Sequence, residues 1–375
     1  MRAGLGRRDT VYEHHPIWPL GPAGIRFELR HVLRKHLHQP WLYRVVMLVL
    51  SLPLLPFMLV EKLFWRIEST WSWWLSAYVV GRWLMYRRRF DLIYSTGGAY
   101  AAHIAGAALR RASALPWMAE IHDPMVVPGS TPSTPQQRKQ AQVEGLICAQ
   151  ADLAIWFTEQ ALASARARHP ELGERGKAMV PGVDPPRVAL QPYRRGEHFV
   201  IAHFGSLAPT RNLLALVAAV EQVLQAAPAL RGVLQVHTYG GPLDALSAQA
   251  IAASGAGDAF VHFGRLETDP LTGLSGRDRV AQRMRCADVL LLLHGTDPIC
   301  AEYIPSKLFE YLWTARPILA LVHRNPQMAA MLGGQSHVVV QTTHPSDTDS
   351  QTASALCQAI LAWAQAWQRG EDLAC

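Results

Sequence analysis

Residues 287–321 read ADVLLLLHGTDPICAEYIPSKLFEYLWTARPILAL. The apolar run 288–293 is too short for a helix and suits a strand buried on both faces. A polar loop follows, then a helical stretch opening at Pro305, whose missing N–H costs nothing in a first turn. A second apolar run, 317–321, closes a strand–helix–strand unit. Lys307 and Glu310 stand three apart on one face of the helix start, with Glu302 on the loop just before. A helix start offers free N–H groups and the positive end of a dipole, which attract phosphate. Lys307 adds a full charge there, and Glu310 is placed to accept hydrogen bonds from a sugar diol. One short segment thus carries the elements of phosphate and sugar recognition.

The same alternation extends outward in both directions. Strands are expected at 91–95, 117–121, 152–156 and 178–180, then at 199–204, 232–238, 259–262, 288–293, 317–321 and 337–341. Helical patterns fall between them, as at 211–228, and strands alternating with helices mean parallel sheets. The Pro-, Gly- and charge-rich stretch 181–197 (PGVDPPRVALQPYRRGE) reads as a linker. The expected fold is α/β: two Rossmann-like doubly wound domains facing across a cleft, where ligands sit at strand carboxyl ends. Their expected bounds are 1–190 and 198–350. A last helix, within 351–375, has an apolar stripe expected to pack back across the domains.

Glu302 and Glu310 enclose seven residues, and IPSKLFEYLWTARPILA (304–320) resembles the donor segment of family 4 retaining glycosyltransferases, which have the GT-B fold. The resemblance implies that Glu302 contacts the donor sugar, that Lys307, with Pro305 and Ser306 beside it, holds the diphosphate, and that Glu310 binds the ribose. FVIAHFGSLAPTRNLLALVAAV (199–220) resembles the first βα turn of that donor domain, which puts Gly205, Ser206 and Arg211 near the diphosphate. VHFGRL (261–266) is similar to the loop against the base, bringing in Gly264 and Arg265. Asp184, in the sequence GVD, resembles a structural turn at the end of the first domain. DLIYSTGGAYAAHIAG (91–106) and LPWMAEIHDP (115–124) resemble paired segments of a bacterial polysaccharide subgroup. By that likeness Asp123 has a catalytic, hydroxyl-orienting place, and Gly97, Gly98, His103 and His122 line the acceptor side. Two departures stand out: Tyr303-Ile304 replaces a glycine-containing turn, and His122 stands where the subgroup has arginine. Residues 1–40 show no opening strand with a Gly-Gly loop, so the first domain is expected to be incomplete or divergent.

Charge separates the start of the chain from the rest. The net charge is +7, yet residues 1–90 hold fourteen Lys and Arg against five Asp and Glu, leaving the remainder slightly acidic. Seven of the twelve tryptophans lie in the same ninety residues. The uncharged run 45–60 (VVMLVLSLPLLPFMLV) is short for a span and holds Pro53 and Pro56, so a surface association is expected rather than a crossing. Tryptophans beside Arg87-Arg88-Arg89 suit a headgroup interface. A basic region this apolar argues against nucleic acid.

Five scattered cysteines without a CxxC fit neither a disulfide framework nor a zinc site. Asp347-Thr348-Asp349 spells a D-x-D but lies in the polar run 342–352, which reads as a solvated loop. No GxGxxG follows an expected strand, which argues against a dinucleotide dehydrogenase. The expectation is a glycosyltransferase using a nucleoside-diphosphate sugar as co-substrate, with no metal or other cofactor. Its acceptor is a polysaccharide or lipid-linked glycan at the cytoplasmic face of a membrane. The alternative is a catalytically silent, membrane-bound partner or scaffold that keeps the fold.

Overall fold

The computed structural model describes residues 13–15, 17, 21–37, 39–65, 73–97, 100–183, 191–334, 336–342 and 350–374. Gly98, Asp184 and the D-x-D at 347–349 lie outside them. The chain divides into two compact units, residues 1–157 with 161–179, and 158–160 with 180–375.

In the first unit, four helices precede the sheet: α1 (Pro22–His36), α2 (Pro40–Ser51), α3 (Leu55–Trp65) and α4 (Trp73–Arg87). Then β1 (Ile93–Thr96), α5 (Tyr100–Ser113), β2 (Trp117–Ile121), α6 (Pro135–Gln150), β3 (Leu153–Trp156), α7 (Glu159–Arg168) and β4 (Gly176–Ala178) alternate. The four strands are parallel and lie in chain order, β1-β2-β3-β4. Among the described residues, strand order does not reverse in this sheet. Its core sets Trp117, Ala119 and Ile121 of β2 against Val143 and Ile147 of α6 and Leu162 of α7.

Pro40–Leu63 forms one helical stretch of 24 residues whose most apolar window has a mean hydropathy of 2.0 and is only 6% buried. The prolines do not break it. Pro53 falls within a 3-10 turn, Leu52–Leu54, and Pro56 is the second residue of α3, where an absent N–H leaves no bond unmade. By length and composition alone the stretch is long and apolar enough to cross a membrane, longer than the run 45–60 by itself suggests.

The second unit holds β5 (Phe199–Phe204), α8 (Leu214–Ala226), β6 (Leu234–Tyr239), α9 (Ala245–Ala253), β7 (Phe260–Gly264) and α10 (Gly276–Cys286). They are followed by β8 (Val289–Leu293), α11 (Lys307–Leu312), β9 (Ile318–His323), α12 (Pro326–Met331), β10 (Val338–Thr342) and α13 (Ser350–Gln368). Its sheet runs β10-β9-β8-β5-β6-β7, all parallel. This is the doubly wound order, and it reverses between β5 and β8. Strand β8, five leucines and valines, is buried throughout, as a central parallel strand must be.

The C-terminal helix seats its apolar stripe on α8 and β10 of the second unit. Leu356, Ile360, Ala364 and Trp367 join the core formed by Phe199, Leu216 and Val220. The reason is supply: α8 offers an apolar face at 216, 217, 220, 223 and 224, and α13 brings a matching stripe to it.

Arg316 is fully buried beneath this helix. Its Nε and Nη2 each donate at 3.0 Å, to the carbonyls of Ala287 and Asp288, and its guanidinium lies 3.7 Å over the Tyr193 ring. Tyr193 donates to the Asp288 carboxylate, which also accepts the Val200 N–H at 2.7 Å. The network fastens the end of the linker to the starts of β5 and β8. Replacing Arg316 with Met leaves these acceptors unmet, and chemical denaturation is expected to show a loss of about 3 kcal/mol.

Candidate functional site

At the carboxyl ends of β5, β6 and β7 the chain turns on Gly205, Gly240 and Gly264, with φ of 153°, 143° and 66°. These are backbone conformations that L side chains rarely adopt. The turns are stacked by strand-to-strand bonds: Gly205 N–H donates to Tyr239 (2.7 Å) and Gly240 N–H to Gly264 (2.9 Å). A Cβ on Gly240 would stand 2.3 Å from the Gly205 carbonyl oxygen. A Cβ on Gly205 would stand 2.5 Å from Lys307 Nζ, so the glycine leaves room for that ammonium.

These turns form one wall of a cavity of about 580 Å³ within the second unit, beside the reversal in strand order. Of the sequence-expected residues, Gly205, Ser206, Arg265, Lys307 and Glu310 line it. Gly264 and Arg211 stand just behind. The Gly264 carbonyl holds Gly240, and Arg211 Nε donates to the Ser206 carbonyl at 3.1 Å. Pro305 and Ser306 are not among the lining residues; their carbonyls accept the Leu308 and Phe309 N–H groups and shape the first turn of α11. That helix has six residues and begins at Lys307, so it carries little dipole, and Lys307 itself is the positive group it contributes.

Burial lowers the Lys307 pKa; Glu310 opposes the shift and Arg211 adds to it. Arg277 reaches Glu310 at 3.8 Å, and Arg265 reaches Glu267 at 3.6 Å. Among the described residues no ion pair engages Lys307, which leaves it the cation best placed for an incoming anion. His203 Nδ1 donates to the Leu291 carbonyl (3.1 Å), which leaves Nε2 unprotonated. That buried Nε2 has no hydrogen-bond partner and lies 3.4 Å from the same Cβ position as Lys307 Nζ. Tyr311, fully buried, donates to the Leu291 carbonyl (3.3 Å) and accepts the Phe204 N–H (3.1 Å), tying α11 to β5 and β8. Phe204, Tyr239 and Phe263 stack in series, 4.7 and 4.9 Å apart and nearly parallel, stiffening the wall.

Glu302, expected at the donor sugar, is a buried residue. Its side chain is 1% exposed and it is absent from the cavity lining. The chain enters α11 through extended Tyr303 and buried Ile304, and that apolar anchor draws the preceding 3-10 turn, Pro298–Glu302, inward. Sequence reasoning missed Tyr239, Gly240, Gly241 and Arg277 as lining residues. The Gly-Gly pair directly after an apolar strand was a usable signal; Arg277, more than ten residues past β7, carried none.

In the first unit, Glu120, His122 and Thr96 converge at the ends of β1 and β2. His122 Nε2 lies 2.7 Å from Glu120 and 2.9 Å from Thr96 Oγ1, and its ring stacks on Phe157. Burial opposes ionisation of Glu120, but hydrogen bonds from Tyr94, His122 and Thr96 outweigh it and lower its pKa. Asp123 is exposed in the bend after β2, and Gly97 turns at φ 103° with its N–H on the Glu120 carbonyl. His103, expected on the acceptor side, is fully buried. Trp117 donates to Ser95 (2.8 Å), Ser95 to His103 Nδ1 (2.9 Å), and His103 Nε2 to the Gly97 carbonyl (3.2 Å). Ser95 and His103 each give one proton and take one bond, which makes the imidazole neutral.

No protein-family model matches the chain, and no curated protein matches its sequence. Solved structures do match. A UDP-forming α,α-trehalose-phosphate synthase from Burkholderia vietnamiensis superposes with a TM-score of 0.53 at 16% identity, over 81% of this chain and 73% of that one. TarM superposes at 0.52 and 12%, over 78% of this chain and 54% of that one. The pneumococcal O-GlcNAc transferase GtfA, solved with UDP and GlcNAc, matches at 0.50 and 15%, over 79% and 54%. The chain has the GT-B fold. It spans about half the length of the last two, and identities this low carry the fold alone.

Two outcomes follow from the site's geometry. Gly240→Ala should destabilise the second unit by roughly 2–4 kcal/mol, read by denaturant midpoint, because backbone must move. Burial holds His103, His203 and His294 neutral, with pKa values down at about 4 against 6.5 unfolded. The unfolded chain therefore takes up protons first as pH falls. Stability should drop between pH 6.5 and 5 by roughly 2 kcal/mol per histidine and stay level, as far as these groups go, above 7. A denaturant midpoint equal at pH 7.5 and 5 contradicts this.

Proposed function

We propose that this chain is a glycosyltransferase of the family 4 type, moving a sugar from a nucleoside-diphosphate donor with retention of configuration. The observation that carries the reading is the cavity at the strand-order reversal of a GT-B second domain, with Lys307, Arg265 and Arg277 on its walls. Strand-end glycines let a diphosphate approach main-chain N–H groups, and Lys307 supplies the charge that the leaving diphosphate needs. Glu310, on the same face, takes the ribose. Retention and family 4 membership rest on the sequence string 302–310. UDP is the first nucleotide to try, since structural neighbours are described as UDP-forming or UDP-bound.

The acceptor is a polysaccharide or lipid-linked glycan on the cytoplasmic face of a membrane. In support, the exposed apolar helix α2–α3 lies in the same unit as Asp123, Gly97 and His122. A second reading, a silent partner that binds nucleotide without turnover, is favoured by the burial of Glu302, which leaves the expected sugar contact without a carboxylate in the cavity.

UDP should raise the melting temperature, and Lys307→Ala should weaken binding by roughly 10- to 100-fold, the loss of one charge-assisted contact. The metal-free reading requires that EDTA leave the UDP response unchanged. Sugar release from UDP-glucose or UDP-GlcNAc, assayed beside binding, separates the readings. Turnover lost in Glu310→Ala supports the transferase; UDP binding without turnover of either donor supports the silent partner. No response to UDP, GDP, dTDP or ADP by folded protein overturns the donor site.

A further inference from the structure

In the first unit, α1 and α2–α3 enclose a groove of about 440 Å³ that plays no part in the donor cavity. Arg26, Arg30 and Arg34 recur every four residues on α1, which places them on one face within about 12 Å of axis. Arg44, on α2, adds a fourth guanidinium to the lining. The floor is apolar, made by Met47, Leu48, Leu55 and Met58.

Among the described residues no carboxylate pairs with any of the four arginines. Arg26 donates to Ser51 Oγ (3.2 Å), and Arg34 lies 5.7 Å over the Tyr43 ring. The nearby acid, Glu61, is buried and caps α1, accepting the Ala23 N–H at 2.9 Å. Like charges at helical spacing repel, and an anion among them removes that cost. Guanidinium forks match phosphate in geometry. A free phosphate would satisfy the arginines and leave the floor wet. The floor also runs outward onto exposed residues, Leu48 at 62% and Leu52 at 53%. Acyl chains cover such a surface.

We infer that this groove binds one phosphate-bearing membrane lipid, its headgroup among Arg30, Arg34 and Arg44 and its chains over Leu48 and Leu55. The inference rests on the proposed membrane placement of α2–α3.

The test titrates the full chain with dihexanoyl phosphatidic acid below its micelle concentration, following the melting temperature. Saturable stabilisation is expected. Affinity should fall at least about tenfold in Arg30→Gln/Arg34→Gln, at roughly fivefold per arginine. It should hold in Lys177→Gln/Arg231→Gln, which removes the same charge elsewhere. Equal stabilisation by inorganic phosphate alone, or an unchanged response in the α1 variant, overturns the lipid site. Flotation with anionic vesicles tells the two failures apart. A protein that floats without a saturable short-chain response loses the groove and keeps the membrane reading; one that does not float loses the membrane reading itself.

Discussion

A carbonyl oxygen that would stand 2.3 Å from a side chain on Gly240 sets the form of the second unit. Strands β5 and β6 end side by side on glycines, and no other residue lets their turns nest that closely. The nested turns leave an opening at the strand ends, and Lys307 projects into the space that a Gly205 side chain would fill. The remaining supports act on that opening. Tyr311 pins α11 to the two central strands, and the Phe204–Tyr239–Phe263 stack stiffens the adjoining wall. Arg316 fastens the starts of the same strands from the opposite end. Lys307 is held there half-buried among these packed and hydrogen-bonded neighbours.

The two units differ in how their sheets are wound, and this decides where a ligand cavity can form. Six strands in doubly wound order split their crossovers between two faces and leave a crevice at the reversal. The four described strands of the first unit, in simple order, show no such reversal. The polar residues of the first unit are correspondingly tied to each other: Glu120 takes hydrogen bonds from three neighbours, and His103 closes a chain from Trp117 to Gly97. Asp123 is exposed there, as is, at the other end of the unit's sequence, a long apolar helix beside a row of arginines.

The ten strands were legible because buried parallel strands are short apolar runs bounded by turns, and each expected run overlaps an observed strand. Gly205, Ser206 and Arg265 were legible as cavity residues because each follows a strand end directly, where a βα unit presents its loop, and Lys307 and Glu310 because they open the helix that follows β8. Glu302, on the loop before α11, is buried and does not line that cavity. Spacing along a chain does not report how deeply an apolar neighbour such as Ile304 pulls it in. Likewise, an apolar stripe predicts that α13 must be covered but does not name its cover.

The sequence by itself determined the α/β class, the two-part division, the strand positions and the charge asymmetry of the first ninety residues. These are properties of local periodicity and composition, which the backbone obeys wherever it is placed. Tertiary structure alone decided the order of strands in each sheet, the clustering of Arg277 with Glu310, the burial of His103 and Glu302, and the alignment of arginines from two helices around one groove. Each of these depends on which distant segments meet, and that choice is made by complementary surfaces packing to exclude water rather than by any residue's neighbours in the chain.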